Sequence, residues 1–204
     1  MLKQLTERNY TIGKEYKYQT NNPIAIYLMW NFFDEIGNIL NHLSFKKVLN
    51  AGCGDGIELL QIKKFLKGKS VYGLDIDPVQ IKAARKNIPS MKFILGDIYK
   101  LQFKDSEFDL VLSIEVLEHL VRPEKALKEL SRVSAKHAIF SVPNEPLWRI
   151  LNLLRGYRVR ELGNGEGHIQ HWSSDSFKKL VSKYFNVVKI SKPIPFTILL
   201  CSKK

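Results

Sequence analysis

Cysteine is scarce in this chain. Cys53 and Cys201 are the only two in 204 residues. They are too few and too far apart for a disulfide framework or a metal knuckle, and they fit a reducing compartment. Long apolar runs are missing too. The longest candidate, residues 24–33, is interrupted by Asn31 and falls short of the roughly 18 residues of a membrane span. The N-terminus has no basic segment leading into an apolar one, so no export signal is expected, and the cytoplasm is the expected location. Internal repeats, low-complexity segments and interdomain linkers are also lacking. A single domain over residues 1–204 is therefore expected, because this length supports one sizeable core.

Acid is short relative to base. The chain has 20 Asp and Glu against 32 Lys and Arg, a net charge of +12. An anionic partner is one reading of that excess: an acidic membrane surface, an anionic substrate or nucleic acid. The other is a lysine-rich surface with no such partner. The lysines are spread along the chain, and neither a basic stripe nor an appended RNA-binding module is recognisable. Nucleic acid therefore ranks below a small-molecule acceptor.

What the chain does have is a strand, a glycine turn and an amphipathic stretch in succession. Residues 47–51 are apolar, and Gly52, Gly54 and Gly56 follow on alternate positions. Ile57, Leu59, Leu60, Ile62, Phe65 and Leu66 then recur at helical spacing, which predicts a helix over 57–66. This is the first half of a nucleotide-binding α/β unit. The dinucleotide pattern G-x-G-x-x-G would need glycine at position 57, where Ile57 stands. The turn is thus not built for a pyrophosphate.

Further strands are predicted over 70–75, 91–95, 108–113, 136–142, 185–191 and 195–202. Asn22-Pro23 and Asp77-Pro78 read as helix starts, and Ser173 or Ser174 as another cap. The short connection before the last strand leaves no room for a helix, so the last pair must be antiparallel. Together these describe an α/β, doubly wound sheet. Residues 1–44 read as an N-terminal helical cap, either packing or a lid over a pocket. Residues 45–204 read as the core, with a substrate-side insertion at about 144–172.

Ligands of such sheets sit beyond the carboxyl ends of the strands. Asp75 lies there 23 residues after Gly52, a spacing suited to ribose hydroxyls, and Asp97 follows 22 residues later, placed for an adenine amino group. Ile76 and Ile98, beside those acids, are placed to sandwich a flat base.

The glycine loop, Gly-Leu-Asp-Ile-Asp at 73–77, Gly-Asp-Ile at 96–98 and Phe-Asp-Leu-Val-Leu-Ser-Ile-Glu-Val-Leu-Glu-His-Leu at 108–120 resemble class I S-adenosylmethionine-dependent methyltransferases. The likeness is to the small-molecule O-methyltransferases of the type 11 kind. It implies a Rossmann-like methyltransferase fold, with seven strands in the order 3-2-1-4-5-7-6 and strand 7 antiparallel. It implies S-adenosyl-L-methionine as cofactor and S-adenosyl-L-homocysteine as product, held by Gly52, Cys53, Gly54, Asp75, Ile76, Asp97 and Ile98, with Asn50 and Ser113 beside them. Asn50 departs from the family, which usually has an acid there, and so removes a negative charge near the cofactor's ammonium.

Glu115, Glu118 and His119 stand at i, i+3 and i+4, so a helical turn would gather them on one side. His119, assisted by Glu118, and His168 are the catalytic candidates, because a histidine titrates near working pH. Glu115, His171, Trp172, Trp148 and Tyr18 are expected against the substrate, with Trp30 and Tyr157 as further aromatic candidates. A small quinone-, lipid- or sugar-like acceptor, methylated at oxygen, is the expectation. Two alternatives remain. The Glu-x-x-Glu-His run and later histidines locally resemble small-RNA 3′-end 2′-O-methyltransferases, which hold a divalent metal with such residues. No metal is assigned here, and the cluster is read as a polar pocket wall. The other alternative is a non-catalytic, cofactor-binding subunit.

Overall fold

A strand covered on both faces reads as a largely apolar run, and β1 (Lys47–Ala51) buries Val48, Leu49 and Ala51 wholly, with Asn50 the polar exception. In the computed structural model, which describes residues 22–154 and 156–204, β1 is an inner strand of a seven-stranded sheet. The other strands are β2 (Ser70–Asp75), β3 (Lys92–Leu95), β4 (Phe108–Ile114), β5 (Ser134–Pro143), β6 (Phe185–Ser191) and β7 (Phe196–Lys203). Their order is β3-β2-β1-β4-β5-β7-β6. The first five run parallel, and β7 is antiparallel to both its neighbours. This is the expected order and polarity.

The α-helices among the described residues are α1 (Pro23–Asn41), α2 (Ile57–Gln61), α3 (Pro78–Asn87), α4 (Pro123–Val133), α5 (Leu147–Leu154) and α6 (Ser174–Val181). Phe32 and Ile36 of α1 pack with Val48, Leu110 and Leu112 on one face of the sheet. Leu127 and Leu130 of α4 and Phe177 of α6 pack with Leu49, Val111 and Phe140 on the other. The expected caps form. Asn22 accepts from the Ile24 N–H at 2.9 Å, Asp77 from Val79 at 2.7 Å and Ser173 from Ser176 at 3.3 Å. Tyr18 and the rest of the stretch before Asn22 lie outside the described residues. No helix among the described residues is long and apolar enough to cross a membrane.

Asp109 fastens the sheet at the end opposite the site. Its carboxylate accepts from the Lys46 and Lys47 N–H groups at 2.9 and 3.1 Å and pairs with Lys136 Nζ at 3.0 Å. These bonds hold its pKa down at about 2.

Two local expectations need correction. The single helix over 57–66 is instead α2 followed by a 3₁₀ turn, Lys63–Leu66. The tighter turn buries Leu66 and brings Ser70 N–H onto the Lys46 carbonyl at 2.9 Å, which starts β2. The helical turn over Glu115–His119 also fails. Glu115 takes a positive φ of 55°, and only Leu117–His119 is helical, in 3₁₀ form. Glu115 is thereby turned toward β5, where its Oε1 accepts from Ser141 Oγ at 2.9 Å.

Candidate active site

Strand order reverses between β1 and β4, and the glycine bend lies at that point. The Gly52 and Cys53 N–H groups both donate to the Leu74 carbonyl, at 2.7 and 2.9 Å, which lays the bend across the end of β2. Gly52 has φ +82°, and a Cβ there would stand 2.5 Å from Val116 Cγ2, so no side chain fits. Gly54 has open space where its Cβ would be, and its N–H donates to Asp75 Oδ2 at 2.8 Å. Asp75 Oδ1 accepts from Asp77 N–H at 3.0 Å, and Asp97 Oδ1 from Tyr99 N–H at 2.8 Å. Both acids are thus oriented by backbone bonds and keep acceptor capacity for a ligand.

A cavity of about 590 Å³ opens over the bend, within the rough 300–1,000 Å³ range of small-molecule sites. Gly52, Cys53 and Gly54 line it with both predicted acid pairs, Asp75 with Ile76 and Asp97 with Ile98, and Glu115 and His119 close another side. Asp55, Glu58 and Asp77 bring the carboxylates on its wall to six, and no Lys or Arg is among the lining residues. A phosphate-bearing nucleotide wants cationic partners, whereas this wall suits a cation. Burial, and the charges of Asp75 and Glu58, push the Cys53 thiol far above its ordinary range. It therefore stays protonated and is no nucleophile. Asn50 and Ser113 are fully buried and are not on the cavity wall, and their side-chain amide and hydroxyl have no hydrogen-bond partner among the described residues.

His119 reaches the cavity from the 3₁₀ turn. Its Nδ1 lies 3.0 Å from the Gly167 carbonyl, which can only accept. Nδ1 therefore carries a proton in this contact. Gly167 has φ +70°, and a Cβ there would press on His119 Nδ1 at 3.1 Å. Glu118 is buried behind the ring, its Oε1 4.0 Å from His119 Nε2, and its carbonyl accepts from the Ile169 and Gln170 N–H groups at 3.0 Å each. His168 stands edge-on to His119 with ring centroids 4.9 Å apart. Glu118, His119 and His168 bring ligand-type atoms within 4.8 Å of one another.

Residues 49–142 match the family described as "Methyltransferase domain". The chain carries a class I methyltransferase domain. It is 34% identical over 99 residues to norajmaline N-methyltransferase of Rauvolfia serpentina, covering 46% of this chain and 34% of that protein. It is 31% identical over 147 residues to the chloroplastic tocopherol O-methyltransferase of Arabidopsis thaliana, covering 69% of this chain and 38% of that one. The chain thus spans little more than a third of the length of these relatives. Its fold is shared with magnesium protoporphyrin IX methyltransferase of Synechocystis PCC 6803, solved with bound S-adenosylhomocysteine: TM-score 0.68, 18% identity, 98% of this chain and 94% of that one.

Beyond the cavity of the methyltransferase domain, the predicted substrate residues divide. Trp148 lies 6.0 Å from His168, centroid to centroid, and 5.5 Å from Phe196. Trp172 instead stacks on Phe177 of α6 at 5.5 Å, half-buried against the core. His171 Nδ1 is 3.8 Å from Glu145 Oε1. Burial raises the Glu145 carboxyl and, with Arg149 nearby, lowers His171, so the contact is not a full ion pair. Gln80 and Tyr99 also line the cavity of the methyltransferase domain. Sequence reasoning missed both; their one signal is that they follow Asp77 and Asp97 by two or three residues.

Proposed function

We propose that this chain transfers the methyl group of S-adenosyl-L-methionine to an oxygen of a small acceptor, quinone-, lipid- or sugar-like, and releases S-adenosyl-L-homocysteine. The observation that supports this most is the makeup of the cavity: six carboxylates, no Lys or Arg, and an unobstructed glycine bend. A sulfonium and an ammonium find counter-charge there, and no phosphate has to be held. Asp75 takes the ribose hydroxyls on its remaining lone pairs, Asp97 the adenine amino group, and Ile76 and Ile98 the faces of the base. The bend from Gly52 to Gly54 holds the methionine part.

When bound, the cofactor supplies a methyl already activated by positive sulfur. The protein's task is to align an oxygen with it and keep water out. His119 Nε2 takes the proton of the acceptor hydroxyl, and the buried Glu118 carboxylate stabilises the imidazolium that results. His168 and Trp148 flank the acceptor. The relatives' names span nitrogen and oxygen acceptors, so the choice of oxygen rests on His119.

The test is incubation of cell extract with radiolabelled cofactor. Label in lipid or small polar material is expected. Cofactor binding with no labelled product at all would make the chain a non-catalytic subunit and overturn the proposal. A second reading, an RNA 2′-hydroxyl as acceptor with a divalent cation on Glu118, His119 and His168, is favoured by the closeness of those ligand atoms. It predicts label in RNA, loss of activity with chelator and steep salt dependence.

A further inference from the structure

Helix α5 is apolar on two sides: Trp148 packs against the core, and the opposite face is exposed. Its sequence, Leu147-Trp148-Arg149-Ile150-Leu151-Asn152-Leu153-Leu154, is apolar apart from Arg149 and Asn152. A helix laid on a soluble core normally buries its apolar stripe and shows its polar side to water. Here the buried residue is Asn152, 3% exposed, whose Nδ2 donates to the Gly163 carbonyl at 2.8 Å. Ile150, Leu153 and Leu154 share one face at i, i+3 and i+4, and they are 48%, 39% and 79% exposed. The loop after the helix is tied down on the Asn152 side, and it exposes Val159 and Leu162 in turn.

Charge follows the same segment. Residues 147–160 hold four arginines, at 149, 155, 158 and 160, and no acid. The next residue, Glu161, pairs with Arg158 at 3.8 Å, which leaves Arg160 beside the exposed apolar side chains, and exposed apolar side chains beside cationic ones are what a helix lying in a lipid interface presents. We propose that α5 and the loop after it seat on an anionic phospholipid bilayer, with Ile150, Leu153 and Leu154 at the acyl boundary and Arg160 among the headgroup phosphates. The inner side of the same helix presents Trp148 to His168, and His168 stands against His119. The seated surface therefore adjoins the acceptor side of the cavity, and the acceptor is an amphiphile drawn from the bilayer. That last clause rests on the methyltransferase reading; the docking does not.

The test is co-sedimentation of the full chain with vesicles of phosphatidylcholine alone and of phosphatidylcholine mixed equally with phosphatidylglycerol. Partitioning onto the mixed vesicles is expected to be about tenfold stronger, and to weaken with salt. Ile150→Ser/Leu154→Ser is expected to lower it by about tenfold, and Arg160→Glu by roughly fivefold. Both variants should match the wild type in circular dichroism and melting temperature, which rules out misfolding as the cause. Equal partitioning of wild type and Ile150→Ser/Leu154→Ser would overturn the proposal. So would a dimer in sedimentation velocity that this double variant dissolves, since the face would then be covered by a second copy. If vesicle binding holds while S-adenosylhomocysteine binding fails, the docking stands and the proposed chemistry falls.

Discussion

The cofactor-side cavity and helix α5 are opposites within one molecule. The cavity is concave, carries six carboxylates and has no Lys or Arg on its wall. Helix α5 is convex, exposes leucine and isoleucine, and belongs to a segment with arginines and no acid. A net charge of +12 therefore describes neither region. The contrast teaches that whole-chain charge says little about a partner until each surface is read by itself. The basic excess, read alone, pointed to phosphates, yet this cavity has no Lys or Arg on its wall to pair with one.

The comparison breaks most visibly at His119. His119→Ala is expected to lower kcat by about 10²- to 10³-fold and to leave S-adenosylhomocysteine affinity unchanged by calorimetry. An equal loss of binding would move His119 from the acceptor side to the cofactor side. Asp75→Ala comes next. It removes the ribose acceptor and releases the Gly54 and Asp77 N–H groups, so S-adenosylhomocysteine affinity should fall by about 100-fold. An unchanged isotherm would refute the ribose assignment.

Asp109 lies outside both regions and separates stability from site effects. Its folded carboxyl, near 2, sits below the ordinary 3.8. Its contribution is therefore complete above about pH 4 and is lost as pH falls from there toward 2. Asp109→Asn should cost on the order of 2 kcal/mol in urea unfolding at neutral pH. It should flatten the acid limb in that window and leave cofactor affinity alone. The smallest effect is expected from Glu58→Lys, which puts a cation on the cavity wall. It should weaken S-adenosylhomocysteine binding about fivefold, and a tighter complex would show that counter-charge is not what the wall supplies.

The convergence of the glycine bend and the two acids on one cavity was legible because these residues stand where strands end. Turn glycines and strand-terminal acids have fixed spacings, so Gly52, Gly54, Asp75 and Asp97 could be placed from the sequence, and the cavity brings them together. The acceptor half was less legible. The positive φ at Glu115 puts it out of phase with the helical spacing that seemed to join it to Glu118 and His119. The period of α5 announced an apolar stripe but not which side faces down. That is decided by the Gly163 carbonyl, eleven residues beyond Asn152. Trp172 looked like a pocket aromatic, but its ring has a partner in Phe177 that nothing local foretells.

The carbonyl that meets His119 Nδ1 belongs to Gly167, in the same insertion as α5. That single contact ties the insertion to a ring 48 residues earlier in the chain.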